Sequence, residues 1–262
     1  MTESDQNVAV IIPAKDEADR IEATIRAART IPHVDLVVVV DDGSSDNTQE
    51  IARAAGATTV RHSTNRGKAA AMETGAAAVA MRDGEGHPSR LLLFIDADLG
   101  DSATETAPLV EPVVRGVADC TIAALPPQEG AGGHGFVVGL ARKSIERATG
   151  WTPCAPLSGQ RCLSRAAFEA ARPLAAGWGV EVGMTIDLLV AGYTLQEVEC
   201  NLRHRATAND LSGQLHRAYQ YKDVRIAVAK RRLRRVRVTR SLRHGIPAEE
   251  FQPFNAFEVP TA

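Results

Sequence analysis

The chain has 262 residues, of which 44% are hydrophobic and 24% charged, and its formal net charge is −2. This size favours one domain with an ample core, and the near-zero charge argues against nucleic acid as a partner. No run approaches the roughly 18 apolar residues that span a membrane, and residues 1–7 do not resemble a signal peptide. The four cysteines have no CxxC spacing, which predicts reduced thiols. We therefore expect a cytoplasmic protein.

Apolar runs alternate with helical segments over the first 124 residues. Continuous apolar runs are typical of strands buried on both faces, and their alternation with helices predicts a mainly parallel sheet flanked by helices, the α/β class. Strands are expected near 8–12, 36–40, 57–60, 91–95 and 119–124, and helices over 17–29, 46–55, 67–82 and 103–115.

Polar residues follow three of these strands where each one ends. The segments are Pro13-Ala14-Lys15-Asp16-Glu17, Asp41-Asp42 and Asp96-Ala97-Asp98. Open α/β sheets bind ligands beyond the carboxyl ends of their strands, so these acids should line one site. Hard cations prefer oxygen ligands and complete their shell with phosphate and water. The last segment therefore predicts a Mg²⁺ or Mn²⁺ site.

A basic helix start lies between the second and fourth strands. Asn65-Arg66-Gly67-Lys68 precedes an alanine-rich helix, and its two cations and helix-start N–H groups suit an anion. Carboxylates can accept hydrogen bonds from a base or a ribose, while cations and a metal ion neutralise phosphates. The combination predicts a site for a nucleoside diphosphate.

The four segments, in this order, resemble the nucleotide-binding half of GT-A-type glycosyltransferases, chiefly family 2. The resemblance implies a GT-A fold, a nucleoside diphosphate sugar as donor, and Asp98, Asp96 and a later histidine, placed at His204, as metal ligands. UDP-glucose is favoured on this basis and GDP-mannose stays open. The implied donor-binding residues are Pro13, Ala14, Asp16, Glu17, Asp42, Gly67, Lys68, Asp96 and Ala97, with Lys68 and Asp98 also taking part in catalysis.

The second half resembles a narrower group, the glucosyl-3-phosphoglycerate synthases. The matching segments are 156–160, 179–183 with Asp187, 198–199 and 203–205. One departure concerns the acceptor loop, where those enzymes have an arginine and this chain has Phe136 nearby. Loss of that phosphate-binding cation weighs against phosphoglycerate, so the acceptor, a hydroxyl or a phosphate, is not identified.

Glu181 is the leading candidate for a catalytic carboxylate. A carboxylate beside the acceptor hydroxyl acts as a general base and gives inversion, whereas the resembling enzymes retain configuration and let the departing phosphate deprotonate the acceptor. A structural role for Glu181, binding loop N–H groups, is the alternative, and for Asp187 a structural pairing is preferred.

Two later segments have two interpretations each. Residues 126–135 are rich in glycine and proline and form either a loop that closes over ligand or a surface connection. Residues 136–149 are expected to form an amphipathic helix whose basic face is either solvated or rests on an anionic membrane. Residues 161–164 are expected to form a strand that returns beneath the site.

We predict a transferase domain over residues 1–215 and a basic helical extension over 216–262. The extension either packs its apolar stripe on the domain, forms a homodimer contact, or binds anionic lipid peripherally at the inner face of the membrane. Its last residues, 247–262, should be extended on a neighbouring surface or disordered.

Three other functions are alternatives to this one. A polyprenyl-phosphate glycosyltransferase working at a membrane surface is the first alternative, and a degenerate module that only binds nucleotide is the second. A sugar nucleotidyltransferase is disfavoured because the first strand is not followed by a Gly-x-Gly-x-Arg loop.

Overall fold

The computed structural model describes residues 6–84, 86–124, 135–202, 211–243 and 249–257, and it shows a seven-stranded sheet flanked by helices. The sheet order is β3-β2-β1-β4-β6-β5-β7, and β6 alone among the described strands runs antiparallel to its neighbours. The strands are β1 Val8–Ala14, β2 Val34–Asp41, β3 Thr58–Arg61, β4 Leu91–Phe94, β5 Cys120–Ala124, β6 Arg161–Leu163 and β7 Leu195–Glu199.

Helices cover both faces of this sheet. They are α1 Ile21–Ala28, α2 Thr48–Ala54, α3 Lys68–Ala80, α4 Glu111–Val114, α5 Gly135–Thr149, α6 Arg165–Ala170, α7 Val180–Val190 and α8 Leu211–Leu233, with 3₁₀ segments at Gly100–Leu109, Gly177–Gly179 and Arg240–Leu242. No helix in the described stretches combines the length and the apolar character needed to cross a bilayer.

The central strands are buried on both faces, as their continuous apolar runs predicted. Along β1, Ile11 points into a core formed with α3, α5 and α7, while Val10 and Ile12 point into a second core that includes α1. Because successive side chains of a strand point to opposite faces, one run of apolar residues supplies both layers. The mainly parallel α/β fold is thus confirmed.

One of the predicted α-helices is wrong. Residues 103–115 do not form a single α-helix; a 3₁₀ segment ending at Leu109 is followed by the four-residue α4. Pro108 and Pro112 lie within this stretch, and proline lacks the N–H that an α-helix interior requires. The helices predicted over 17–29, 46–55 and 67–82 exist but are shorter, with α1 beginning only at Ile21. The helix predicted over 136–149 is α5, which begins one residue earlier, at Gly135.

The C-terminal segments pack on the sheet domain. Val224 and Ala227 of α8 are buried, and Arg231 forms an ion pair with Asp187 of α7, as the structural interpretation of Asp187 predicted. Ile226, expected in the same apolar stripe, is exposed instead. The division at residue 215 stays a prediction, and α8 itself begins at Leu211.

Part of the predicted tail also lies on the domain. Phe254 is buried, exchanges two backbone hydrogen bonds with Leu195 at the start of β7, and stacks on Trp151 with ring centroids 5.9 Å apart.

All four cysteines are free thiols, as expected.

Candidate functional site at the carboxyl edge of the sheet

The ends of β1 and β2 are joined by hydrogen bonds between their loops. Asp16 has a positive φ of 56°, and its Oδ1 accepts hydrogen bonds from the N–H and the hydroxyl of Ser45 at 2.7 and 2.9 Å. The N–H of Glu17 donates to Thr48 Oγ1 at 2.9 Å. The Lys15 ammonium, which donates a hydrogen bond to Asp16 Oδ2, and the two Ser45 donors hold the pKa of the Asp16 carboxyl well below its usual range. The carboxylate is therefore ionised and also holds the two loops together.

Asp42 holds the turn that precedes α3. It is only 5% exposed, and it accepts hydrogen bonds from the N–H groups of Arg66 at 2.8 Å and Gly67 at 2.7 Å and pairs with His62 Nδ1 at 2.7 Å. Burial raises the pKa of the Asp42 carboxyl, but these donors outweigh it, so the pKa lies below its ordinary value. The expectation that helix-start N–H groups face a phosphate is corrected for Arg66 and Gly67, because both donate to Asp42.

Three charged side chains meet where α3 begins. Lys68 Nζ lies 2.8 Å from Asp96 Oδ1 and 3.2 Å from Glu181 Oε1. Burial lowers the pKa of Lys68, but the two carboxylates outweigh it and raise the pKa above its usual value. The Glu181 carboxylate thus contacts a cation rather than the loop N–H groups of the alternative interpretation. The sequence predicted all three residues for the site, and the structure brings them together.

The Asp96 carboxylate is fixed from both sides. Its Oδ2 accepts a hydrogen bond of 2.6 Å from the Gln160 side chain, opposite the contact with Lys68. Gly159 lies against this pair so closely that a Cβ there would be 2.5 Å from Lys68 Nζ. The segment before β6 therefore closes one side of the charged cluster, and any side chain at position 159 would displace the Lys68 ammonium.

The turn that carries Asp98 is held by α1. Thr24 Oγ1 donates to the carbonyl of Ala97 and accepts from the N–H of Gly100, both at 2.8 Å, and Arg20 donates to the carbonyl of Asp98 at 3.2 Å. The Asp98 carboxylate is partly exposed and has no hydrogen-bond or ion-pair partner among the described residues. It is thus available to a ligand while its backbone is fixed.

Buried charges beneath the site were not predicted. Arg161 is 1% exposed; its Nε donates to the carbonyl of Ser158 and its Nη1 to Thr185 Oγ1, which in turn donates to the carbonyl of Glu181. Glu197, from β7, accepts the N–H groups of Cys154 and Ala155 at 2.8 and 2.6 Å. The contact of Arg161 with Thr185 and that of Glu197 with Cys154 join residues 24 and 43 positions apart. Arg161, through Ser158, and Glu197 both position the loop that carries Gly159.

The remaining predicted residues fall into two groups. Pro13, Ala14 and Ala97 lie at the same strand edge, where backbone and small side chains border the cluster. His204 and the loop over 126–135, apart from Gly135 at the start of α5, lie outside the described residues. Within the described residues, no group of three or more His, Cys, Asp or Glu side chains could hold a metal ion without further ligands.

The sheet order and the acidic strand edge define the class: this is a GT-A fold. The glycosyl transferase family 2 profile matches residues 9–169, so the chain belongs to glycosyltransferase family 2.

Curated relatives match in sequence, and two of them are informative here. The chain is 28% identical over 207 residues to glucosyl-3-phosphoglycerate synthase of Mycolicibacterium paratuberculosis, a match covering 70% of this chain and 60% of that one. It is 31% identical over 107 residues to an uncharacterized protein, MJ1222, of Methanocaldococcus jannaschii, covering 41% of this chain and 42% of that one. The chain thus spans less than two thirds of the length of either relative.

A solved structure matches over most of the chain. Glucosyl-3-phosphoglycerate synthase from Mycobacterium tuberculosis, in complex with Mg²⁺ and UDP, superposes with a TM-score of 0.67 at 26% identity, covering 86% of this chain and 79% of that one. The resemblance inferred from the sequence motifs is confirmed.

Proposed function

We propose that the protein transfers a hexose, glucose in the first instance, from UDP-glucose to an acceptor hydroxyl or phosphate, with Mg²⁺ or Mn²⁺ as cofactor. The observation that carries this proposal is the Lys68–Asp96 ion pair at the strand edge, two residues before Asp98, whose carboxylate has no partner among the described residues. The M. tuberculosis synthase, which shares this fold, binds Mg²⁺ and UDP.

The residues present suit a divalent cation. Asp98 offers free carboxylate oxygens, and Asp96 lies two residues away with both oxygens already engaged by Lys68 and Gln160. Asp98 would therefore hold the cation directly, Asp96 would contact ribose or water beside it, and His204 is proposed as a further ligand. Two or three protein ligands suffice because Mg²⁺ and Mn²⁺ take the rest of their shell from phosphates and water. When bound, the cation stabilises negative charge on the leaving diphosphate.

The chain's own residues bind the donor along the strand edge. The base and ribose lie against the β1 and β2 loops, with Pro13, Ala14, Asp16, Glu17 and Asp42 as contacts, and Gly67 and Ala97 allow close approach of the diphosphate. Lys68 supplies a positive charge whose raised pKa keeps it protonated at neutral pH. As the sugar bond lengthens, this charge stabilises the oxygen that departs with the diphosphate.

Glu181 lies on the acceptor side of the cluster. Its carboxylate is 3.2 Å from Lys68 Nζ, so it borders the diphosphate position and is held by the start of α7. In the inverting route, Glu181 takes the proton of the acceptor hydroxyl. In the retaining route, the leaving phosphate takes that proton and Glu181 only holds Lys68.

The acceptor differs from phosphoglycerate in this proposal. Phe136, at the start of α5, is exposed, and it stands near the position where the resembling enzymes have a phosphate-binding arginine. An aromatic ring cannot replace the charge-assisted hydrogen bonds of a guanidinium. We therefore expect an acceptor whose recognition at this position is apolar.

Calorimetry with Asp98→Asn tests the proposal. We expect the unmodified protein to bind UDP-glucose much more tightly with Mn²⁺ than without, and Asp98→Asn to lose that difference. Asp101→Asn removes a carboxylate three residues away on an exposed surface and should behave as the unmodified protein. Equal affinities with and without Mn²⁺ in all three proteins would refute the metal site, and failure of the unmodified protein to release UDP from UDP-glucose would refute the donor.

A further inference from the structure

A groove rich in arginine lies between α5 and the segment that follows α8. One cavity of about 750 Å³ opens between the end of α5 and residues 237–243, and a second of about 400 Å³ adjoins it along α8. Arg147 and Arg237 line both cavities, so the two are continuous. We call them together the basic groove; its charged residues are Lys143, Glu146, Arg147, Arg231, Arg232, Arg235, Arg237, Arg240 and Arg243.

Most of the positive charge of the basic groove has no acidic partner among the described residues. Glu146 is the one acid among its lining residues, and of its eight cations only Arg231 has an ion pair, with Asp187, in the described part of the chain. Burial lowers the pKa of Arg243, and repulsion from Arg240 and Arg237 lowers it further. Such mutual repulsion indicates a surface whose partner is an anion.

Backbone contacts fix the two sides of the groove relative to each other. Arg243 Nη2 donates to the carbonyl of Arg147 at 2.5 Å and its Nε to the carbonyl of Val238 at 3.3 Å. The N–H of Val238 donates to the carbonyl of Ala148 at 2.9 Å, and the Val238 side chain is buried. The cations therefore project from a folded surface rather than from a loose tail.

The groove is separate from the donor site. None of its lining residues belongs to the strand-edge cluster. Arg231 reaches α7 at Asp187, six residues beyond Glu181 and so about 9 Å further along that helix. An anion in the groove is therefore not the diphosphate of the donor.

Exposed leucines border these cations. Leu233 is 84% exposed between Arg232 and Arg234, and Leu242 is 55% exposed beside Arg243. A small phosphate in solution gains nothing from a leucine, whereas a phospholipid surface offers phosphates to the arginines and acyl chains to the leucines. The whole chain carries a net charge of −2, so its attraction to such a surface depends on this concentrated patch.

We propose that the basic groove and its flanking leucines, Leu233 and Leu242, dock the enzyme on the surface of an anionic phospholipid bilayer. The interaction places the enzyme at a membrane surface, and it is independent of which nucleotide sugar is the donor. Cations near an anionic surface contribute about 1 kcal/mol each, a factor of about five per residue.

Vesicle flotation of the full chain tests this proposal. We expect flotation with phosphatidylcholine vesicles that contain phosphatidylglycerol, none with phosphatidylcholine alone, and progressive release as salt is added. The variant Arg147→Gln, Arg237→Gln, Arg240→Gln should lower the partition coefficient on the order of 10²-fold. The matched variant Arg26→Gln, Arg53→Gln, Arg115→Gln removes the same charge from exposed positions on other helices and turns, and should change it little.

A second variant tests the leucines and does not depend on the arginine variant folding. Leu233→Ala with Leu242→Ala should lower vesicle binding several-fold while leaving thermal unfolding unchanged, since both side chains are solvent-exposed. Equal binding of the groove variant and the matched arginine variant would overturn the proposal. So would binding of tripolyphosphate or of a duplex oligonucleotide through the groove by a protein that does not float with anionic vesicles.

Discussion

Lys68 and Asp96 form an ion pair of 2.8 Å that joins the start of α3 to the end of β4. The sequence assigned the lysine to phosphate and the aspartate to the metal or ribose, as if each acted alone. In the structure each neutralises the other, and Glu181 shares the same ammonium group. In the proposed function, the diphosphate of the donor therefore meets a cation that is already positioned and protonated.

Replacing Lys68 by methionine should weaken the binding of the donor. The change removes the cation but keeps a similar length, so a charge-assisted hydrogen bond of about 1.5–3 kcal/mol to phosphate is lost, or 10- to 150-fold in affinity. Titration calorimetry with UDP-glucose and Mn²⁺ measures this loss. Lys68→Arg keeps the charge and should retain more affinity than Lys68→Met; equal affinity of Lys68→Met and the unmodified protein would exclude Lys68 from the donor site.

A single methyl group at Gly159 should have a similar effect. Its Cβ would lie 2.5 Å from Lys68 Nζ, so the ammonium must move away from Asp96. We expect Gly159→Ala to reduce UDP-glucose affinity about tenfold, as for one lost charge-assisted hydrogen bond, with little change in thermal unfolding. Gly139→Ala is the control, because a Cβ there meets nothing within 4 Å. Unchanged affinity in Gly159→Ala would show that the position of Lys68 does not matter to the donor.

The strands and the residues at their ends were predictable because a buried parallel strand is a short local pattern, and its end is marked by the first polar residues. Contacts between residues that meet only in the folded chain could not be predicted. Asp42 pairs with His62 twenty residues later, and Glu197 of β7 binds the backbone at Cys154. No local pattern around His62 or Glu197 indicates either contact, since each depends on which strands become neighbours. The break of the helix predicted over 103–115, by contrast, could have been predicted from Pro108 and Pro112.

The stability contributed by Asp42 should depend on pH. Its folded-state pKa lies below the ordinary value of 3.8, so the folded chain binds fewer protons than the unfolded chain in that range, and stability rises with pH there. Asp42→Asn should lower the free energy of unfolding at pH 7 by about 1.5–3 kcal/mol, since the amide cannot accept all three hydrogen bonds. The deficit should shrink as pH falls through 3.8 towards the lowered pKa.

Urea unfolding of Asp42→Asn across this pH range checks that dependence. Asp19→Asn serves as the control, because Asp19 is exposed and makes no hydrogen bond or ion pair within the described residues. A deficit that stays constant from pH 7 to the acid limit would mean that the charge of Asp42 does not stabilise the turn before α3.

Glu181 can be assigned to chemistry or to positioning by separating kcat from the donor KM. If its carboxylate takes the acceptor proton, Glu181→Gln should lower kcat by about 10²–10⁴-fold and change the donor KM little, because the amide keeps the shape but is not a base. If Glu181 only holds Lys68 at 3.2 Å, the same change should raise the donor KM instead. Glu50→Gln, on an exposed face of α2, should alter neither value. Here kcat reports the transfer step, whereas the donor KM includes the contact of Lys68 with the donor. An unchanged kcat with a raised donor KM would therefore remove Glu181 from the proton transfer. It would favour the route in which the departing phosphate is the base.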